Sequence, residues 1–201
     1  MSKIAVGGLF YVAAFLIIGG FFILGYCARL TRNVIAGDPN PLPEWDQLGE
    51  YFAEGVGLVV IGIAYMAPVF VIAAVIFIPA IIAAGASDQE IVRNLSGGAM
   101  SCAWCLIFPL SLAVSFFLPG AFTLAIVERR FTAAFEFGRL WRYIRGNFSN
   151  YLLAFVVYLV ARFAAPFGLI LFCVGVVFTA FWAMVVASYA FATAYRLSPV
   201  K

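Results

Sequence analysis

The sequence predicts an all-α membrane protein, a polytopic transmembrane helical bundle of about five spans, because long apolar stretches fill most of it. About 20 apolar residues are enough to cross a bilayer. Within these stretches only one charged side chain occurs, that of Arg162. The chain is 66% hydrophobic and 10% charged, whereas a soluble domain carries roughly 25% charged residues. The stretches cover residues 4–27, 56–86, 98–127 and 151–195.

The first three helices follow directly from these stretches. Helix 1 is predicted over residues 3–28, helix 2 over 55–86 and helix 3 over 98–127. Helices 2 and 3 have about 30 residues each, which at 1.5 Å per residue exceeds the ~30 Å hydrocarbon core. We therefore expect them to be tilted or kinked, with any kink at a proline. Their prolines are Pro68, Pro79, Pro109 and Pro119.

The last apolar stretch is too long for one span, and we predict two helices, over 149–164 and 168–194. An Ala-Ala-Pro-Phe-Gly sequence around Pro166 separates them. Arg162 lies near the end of the shorter helix, from which its long side chain can reach the membrane surface. Four spans, with one over-long last helix, or six, if Pro68 divides helix 2, are the alternatives.

The basic residues are distributed unevenly across five spans, and this asymmetry predicts the topology. One side receives Lys3, Arg93 and Arg162, and the other side receives three times as many basic residues. The positive-inside rule therefore places the N-terminus outside and the C-terminus in the cytoplasm, for a multi-pass protein of a prokaryotic cytoplasmic (inner) membrane. The cytoplasmic set is Arg29, Arg32, Arg129, Arg130, Arg139, Arg142, Arg145, Arg196 and Lys201.

Two cytoplasmic connections are amphipathic, which predicts two helices lying in the membrane interface. In the first, Trp45, Leu48 and Phe52 recur at helical spacing, with Trp45 expected at headgroup depth. The opposite face of this segment carries Asp46, Glu50 and Glu54. In the second, residues 130–147, the expected apolar face is Ala134, Phe137, Trp141, Ile144 and Phe148. The expected polar face is Thr132, Glu136, Arg139, Arg142 and Tyr143.

Both connections are predicted on the same side of the membrane, so acids of the first should form ion pairs with nearby arginines. The candidate acids are Asp46, Glu50 and Glu54, and the candidate partners are Arg29, Arg32, Arg139 and Arg142. The alternative is that the acids face water while the arginines meet anionic lipid headgroups.

The whole chain, residues 1–201, is expected to form a single membrane domain. A weak duplication relates residues 1–86 to residues 98–195. In each half a helix ends in two arginines, an amphipathic segment follows, and the next helix meets an Ala-Pro pair. Internal duplication is a common way in which membrane proteins are built.

The composition argues against catalysis, metal binding and ion-coupled transport. Histidine is absent, although it is the usual metal ligand and near-neutral proton carrier. All nine acids lie outside the apolar stretches, whereas ion-coupled transporters generally keep a carboxylate or histidine at membrane depth. Cys102 and Cys105 have the spacing of a redox pair, but in an apolar helix we expect them to pack. No cofactor is predicted, and bound lipid, quinone or pigment contacts are left open.

The connection after helix 1 carries an unusual Pro-Leu-Pro-Glu-Trp string over residues 41–45. The residues around it are Gly25, Tyr26, Arg29, Arg32, Gly37, Asp38 and Gly55, with a later Asn150-Tyr151-Leu152 stretch. This pattern resembles the prokaryotic membrane-protein family catalogued as domain of unknown function 4013. The resemblance implies a helical membrane fold and supplies no catalytic residues.

The motif residues Pro41, Pro43, Glu44 and Trp45 can be given a physical role. Alternate prolines stiffen the connection, and a tryptophan fixes its depth at the interface. The motif is therefore expected either to orient helix 2 against helix 1 or to dock a protein partner.

These features favour a non-catalytic subunit, a scaffold, assembly or accessory component of a larger membrane complex such as a photosynthetic or respiratory one. Its expected partners are the lipid bilayer and other membrane subunits, without nucleic acid. The basic residues are few and lie in short loops, which is typical of topology signals. The alternative is a small transporter, channel or lipid-handling protein, which would show a continuous polar path between its helices.

Overall fold

A computed structural model describes the backbone of residues 2–86 and 90–199, with side chains for residues 18–85, 90, 92, 94–168 and 178–199. Three basic residues of the topology prediction, Lys3, Arg93 and Lys201, lie outside the described side chains. The described helices are α1 (Ser2–Ala36), α2 (Leu48–Ala86), α3 (Glu90–Glu128), α4 (Phe137–Gly146), α5 (Phe148–Ala164) and α6 (Phe172–Arg196). Two 3₁₀ segments, Phe131–Phe135 and Ala165–Leu171, precede α4 and α6.

The prediction of an all-helical, multi-pass membrane protein is confirmed. No strand occurs in the described ranges. Among the described side chains, four helical segments are long and apolar enough to cross a membrane. α1 is 35 residues long and contains the apolar stretch 4–27, which brings the total to about five. The four segments are Leu48–Gly85, Asn94–Glu128, Phe148–Gly168 and Phe178–Arg196.

Two compact units divide the chain, where the sequence predicts one domain over residues 1–201. Unit 1 comprises Met1–Ile61 and Pro119–Lys201, and unit 2 comprises Gly62–Leu118. The boundaries fall inside α2 and α3, so neither unit coincides with a half of the weak duplication. Unit 2 is held by contacts between its own two helices, such as the edge-to-face rings of Phe77 and Trp104, whose centroids are 5.9 Å apart.

α1 continues past residue 28, its predicted end, to Ala36. Nothing in the sequence breaks the helix before Gly37, whose φ of +80° suits a residue without a side chain. The Gly37 amide donates to the Val34 carbonyl at 3.1 Å, and the Asp38 amide donates to the Asn33 carbonyl at 3.0 Å. This pair of bonds is a Schellman cap, and it leaves Arg29 and Arg32 on the helix.

The sequence predicted a separate interfacial helix for the first amphipathic segment. In the structure this segment instead leads into the opening turns of α2. The sequence has no proline between Pro43 and Pro68, and a helix that has nucleated propagates at little further cost. Glu50 lies in the first turn, where negative charge suits the helix dipole. α2 then runs through Pro68 and Pro79 as one helix of 39 residues.

The second amphipathic helix is confirmed as α4, with one difference in its faces. Ile144 is buried as predicted, together with Leu140 and Tyr143. Tyr143, expected on the polar face, is only 2% exposed, whereas the predicted apolar residues Phe137 and Trp141 are exposed. The sequence pattern identifies the helix, but it does not tell a face packed on protein from one facing the membrane interface.

The division of the last apolar stretch is confirmed. α5 ends at Ala164, a 3₁₀ segment follows, and α6 begins at Phe172. Arg162 lies in the last turn of α5 and is exposed, where a positive charge suits the helix C-terminus. The Thr179 hydroxyl donates to the Ala165 carbonyl at 2.7 Å, which ties the start of the turn to α6.

α1 and α2 approach each other so closely that two glycines are required. A Cβ added at Gly25 would overlap the carbonyl oxygen of Tyr51, and one added at Gly55 would overlap the carbonyl oxygen of Phe21. Phe52 packs beside this crossing, with its ring 5.5 Å from that of Phe21. Small residues that let helix backbones touch are typical of helix pairs in membranes.

We predict that Gly55→Ala lowers the stability of the protein by about 1–3 kcal/mol, because the added methyl group overpacks the crossing. Gly49→Ala is the matched control on the same helix, since nothing lies within 4 Å of its added Cβ. Alanine is the better helix former, so the control should gain up to about 1 kcal/mol. Thermal unfolding in detergent measures both, and equal midpoints would contradict the close crossing.

Candidate functional site

The Pro-Leu-Pro-Glu-Trp segment is anchored to α1 and α2. The Trp45 ring stacks on Tyr26 with centroids 4.4 Å apart and planes 16° from parallel. The Tyr51 hydroxyl donates to the Glu44 carbonyl at 2.6 Å, and the Asn33 amide donates to the Pro41 carbonyl at 3.0 Å. These contacts fix the connection between the two helices, in keeping with the loop-orienting role.

The outward side of the same segment is available to a partner. Trp45 is 49% exposed despite its stack on Tyr26. Glu44 is exposed, Pro43 is half-buried, and the Glu44 carboxylate forms no ion pair within the described part of the chain. The docking role proposed for the motif therefore concerns only this outward side.

Two ion pairs join the end of α1 to the start of α2. One nitrogen of Arg32 contacts both carboxylate oxygens of Glu54, at 2.6 Å and 2.7 Å. The side chains are 17% and 31% exposed. Arg29 lies 3.9 Å from Glu50, whose side chain is 65% exposed. The structure therefore brings together four of the seven residues predicted to pair, and the Arg32–Glu54 pair is the more buried.

The other predicted pairing residues lie elsewhere. Arg139 contacts Glu128 rather than an acid of the first connection, and it also lies 3.7 Å from Glu136. For Asp46 and Arg142 no ion pair is found among the described side chains. Arg139 has closer acids along the chain, because α4 follows the end of α3 after a short connection.

A second ionic cluster, which the sequence analysis did not predict, surrounds Glu128. This carboxylate contacts both Arg130 and Arg139, and Glu136 lies 3.8 Å from Arg130. The hydrogen bond from Arg130 to Glu128 raises the pKa of the guanidinium above its usual value. The sequence could have indicated the contact between Glu136 and Arg139, because residues three apart face each other on a helix. For Glu128 the sequence shows only that it lies at the end of a helix.

Three tyrosines pack where α4, α5 and α6 meet. The ring of Tyr143 lies 5.7 Å from Tyr151 and 5.4 Å from Tyr195. The Gly120 amide donates to the Tyr151 hydroxyl at 3.2 Å. The Tyr143 hydroxyl is buried and has no hydrogen-bond partner among the described residues. Burial raises the pKa of Tyr143 above its usual value, with the neighbouring Tyr195 as a smaller cause.

A cavity of about 270 Å³, the arginine cavity, lies in unit 1. Its lining includes residues of the α1–α2 ion pairs and of the ionic cluster around Glu128. Arg32 and Glu54 line it from α1 and α2, and Arg129 and Arg130 line it from the end of α3. Residues from both arginine-bearing connections thus meet in one place. The remaining lining is Ala28, Gly57, Leu58, Ile61, Ala125, Ile126 and Phe131.

Arg129 holds an uncommon backbone conformation at the edge of this cavity. Its φ is +52°, in the left-handed region that a glycine usually occupies just after a helix end. For a residue with a side chain this conformation costs of order 1–3 kcal/mol. Strain of this kind often accompanies functional positions.

A second cavity is the apolar α5–α6 groove, with a volume of about 520 Å³. α1 and the first connection also contribute to its lining, through Leu30, Pro41 and Leu42. The other lining residues are Asn150, Leu153, Ala154, Val157, Val185, Val186, Tyr189, Ala190, Thr193, Ala194 and Leu197.

The described residues contain no group of three or more side chains able to hold a metal ion. Cys102 and Cys105 are exposed, free thiols.

The family of the chain follows from comparison with known proteins. A family model described as "Protein of unknown function (DUF4013)" matches residues 8–175. The chain belongs to this family. No curated protein and no solved structure matched. The range that the DUF4013 model matches includes the anchored Trp45 segment, the α1–α2 ion pairs, the ionic cluster around Glu128 and the arginine cavity.

We predict that Arg32→Gln destabilises the protein by about 2 kcal/mol, because it leaves the partly buried Glu54 carboxylate without its partner. Arg29→Gln is the control, and it should cost less than about 1 kcal/mol because its pair with Glu50 is exposed and long. Chemical unfolding in detergent measures both. Equal losses would contradict the difference in burial.

A paired substitution tests the buried tyrosines. Tyr143→Phe removes a hydroxyl with no partner, so it should leave stability unchanged or raise it by up to about 1 kcal/mol. Tyr151→Phe removes the acceptor of the Gly120 amide and should cost about 1–2 kcal/mol. Thermal unfolding of both variants gives the comparison, and a larger loss for Tyr143→Phe would show that its hydroxyl has a partner.

Proposed function

We propose that this protein is a non-catalytic membrane subunit that serves as a scaffold, assembly or accessory component of a larger membrane complex. The observation that carries the proposal is the length over which α2 exposes large apolar side chains. These exposed residues begin at Leu48 and continue to Ile82. At 1.5 Å per residue they cover about 51 Å along the helix.

The hydrocarbon core of the bilayer alone covers less than this length. A helix tilted by 40°, the upper end of the observed range, has about 39 Å within a ~30 Å hydrocarbon core. The remaining ~12 Å of apolar helix meets headgroups or water unless another protein covers it. α3 adds exposed large side chains, including Trp104 at 62% and Phe108 at 69%. We propose that neighbouring membrane helices pack against these exposed apolar side chains.

The absence of catalysis is part of the proposal and rests on the chemistry of the available side chains. Glu54 and Glu128 are both engaged in ion pairs with arginines. The sequence has no histidine to act as a proton acceptor.

A channel or transporter receives less support from the polar groups of α3. The hydroxyls of Ser101, Ser111 and Thr123 donate to carbonyls of their own helix, at 3.0, 2.7 and 2.9 Å. Hydroxyls bonded in this way satisfy themselves locally. Among the described side chains, none of the buried ones carries a charge.

The α5–α6 groove favours lipid handling as the second candidate. Its volume of about 520 Å³ falls in the range of small-molecule sites, and its lining is mostly apolar. A single acyl chain is the kind of ligand that such a groove accommodates. This candidate requires the groove to release its lipid, whereas a structural subunit would retain it.

We further propose that the complex lies in the cytoplasmic membrane of a prokaryote, with the arginine-bearing connections and the C-terminus in the cytoplasm. The charge asymmetry of the sequence supports this orientation. Within a photosynthetic or respiratory complex the protein would contact lipid, quinone or pigment through apolar side chains, without a histidine ligand.

Photo-cross-linking in native membranes tests the subunit role. A benzoylphenylalanine at position 108 should give a discrete adduct with another membrane protein, because Phe108 is 69% exposed. The same group at Phe155, which is 7% exposed, is the control and should give no intermolecular adduct. Lipid adducts alone at position 108, together with a solitary monomer after mild solubilisation, would contradict the proposal and favour lipid handling.

A further inference from the structure

The arginine cavity is lined by one arginine with an unsatisfied nitrogen donor and by a second arginine without an ion pair to any described side chain. The Nε atom of Arg32 is buried and has no hydrogen-bond partner among the described residues. Arg129 lines the cavity, and no ion pair is found for it within the described part of the chain. Arg130 differs, because Glu128 and Glu136 already neutralise it.

The charge balance of the lining favours an anion. Of the three arginines that line the cavity, Arg32 is balanced by Glu54 and Arg130 by Glu128 and Glu136, so the positive charge of Arg129 is left uncompensated by the described side chains. Glu54 is bonded to Arg32 through a different nitrogen, so the Nε hydrogen has no acceptor among the described residues. Nitrogen donors of arginine suit phosphate oxygens in both geometry and charge.

The rest of the lining is apolar and indicates what the anion is attached to. Leu58, Ile61 and Ile126 contribute to the cavity beside the arginines. A free, fully hydrated anion would lose water against such surfaces without compensation. A phosphate that carries hydrocarbon would satisfy both parts of the lining.

We propose that the arginine cavity binds the phosphate of an anionic phospholipid, with Arg32 Nε and the Arg129 guanidinium as donors. The apolar part of the cavity takes the hydrocarbon next to the phosphate. The left-handed conformation of Arg129 places an arginine where a helix end usually has glycine. Under this proposal the strain is retained because glycine would remove the donor. The assignment does not depend on whether the protein is a subunit of a complex.

Thermal unfolding of the full-length protein in neutral detergent micelles tests the site. Phosphatidylglycerol is added to one series and phosphatidylcholine to the other. The wild type should be stabilised more by phosphatidylglycerol. Arg129→Gln should weaken the apparent affinity for phosphatidylglycerol about tenfold, the usual loss for one charge-assisted hydrogen bond.

Arg129→Gly separates the binding role from a structural one. Without lipid its unfolding midpoint should lie about 2–4 °C above that of the wild type, because the backbone strain is relieved. It should nevertheless lose the response to phosphatidylglycerol as fully as Arg129→Gln does. A residue with a purely structural role would not combine higher stability with a lost lipid response.

Arg142→Gln is the matched control, because Arg142 is exposed, as Arg129 is, but does not line the cavity. It should keep the full response to phosphatidylglycerol. The proposal is overturned if both Arg129 variants keep that response, or if Arg142→Gln loses it equally. Inorganic phosphate at millimolar concentration forms the last arm. Stabilisation by it as large as that by phosphatidylglycerol would overturn the phospholipid assignment in favour of a soluble phosphate compound.

Discussion

The backbone contact between α1 and α2 is the constraint on which the neighbouring ion pair and aromatic stack depend. Gly25 and Gly55 allow the two helices to touch, and residues after Gly25 are thereby brought close to residues before Gly55. Beside the crossing, Arg32 reaches Glu54 and Tyr26 receives the ring of Trp45. A wider separation would lengthen the ion pair and open the aromatic stack, because both sets of side chains span the same gap.

The sequence was sufficient for features that depend on hydrocarbon as the solvent. Helical spans follow from the need to satisfy every backbone group without water. The division near Pro166 follows from the length of a span, and α4 follows from its amphipathic periodicity. The family resemblance rested on a short proline-rich string, and the family model matches far beyond it, over residues 8–175. Each of these features depends on residues that are close together in the sequence, so it can be recognised from the sequence alone.

The features that could not be predicted depend on distances between helices. The continuation of α1 to Ala36 is the exception, because it depends on a local Schellman cap at Gly37. The partners of Arg139 depended on where the end of α3 meets α4, and Glu128 had no signal of its own. The burial of Tyr143 reversed its expected face, because one side of α4 packs against protein. Charge and periodicity identify which residues can pair, but only packing decides which of them do.

A hydrogen bond between two distant parts of the chain has a consequence for how the molecule is made. The Asn147 side chain donates to the Ala194 carbonyl at 2.6 Å, across 47 residues of sequence, and Asn147 is buried. This bond ties the residue just before α5 to the final turns of α6. Synthesis proceeds from the N-terminus, so the first of these two helices waits for the second before its register is locked. They therefore settle in the bilayer as a pair, once α6 has been synthesised.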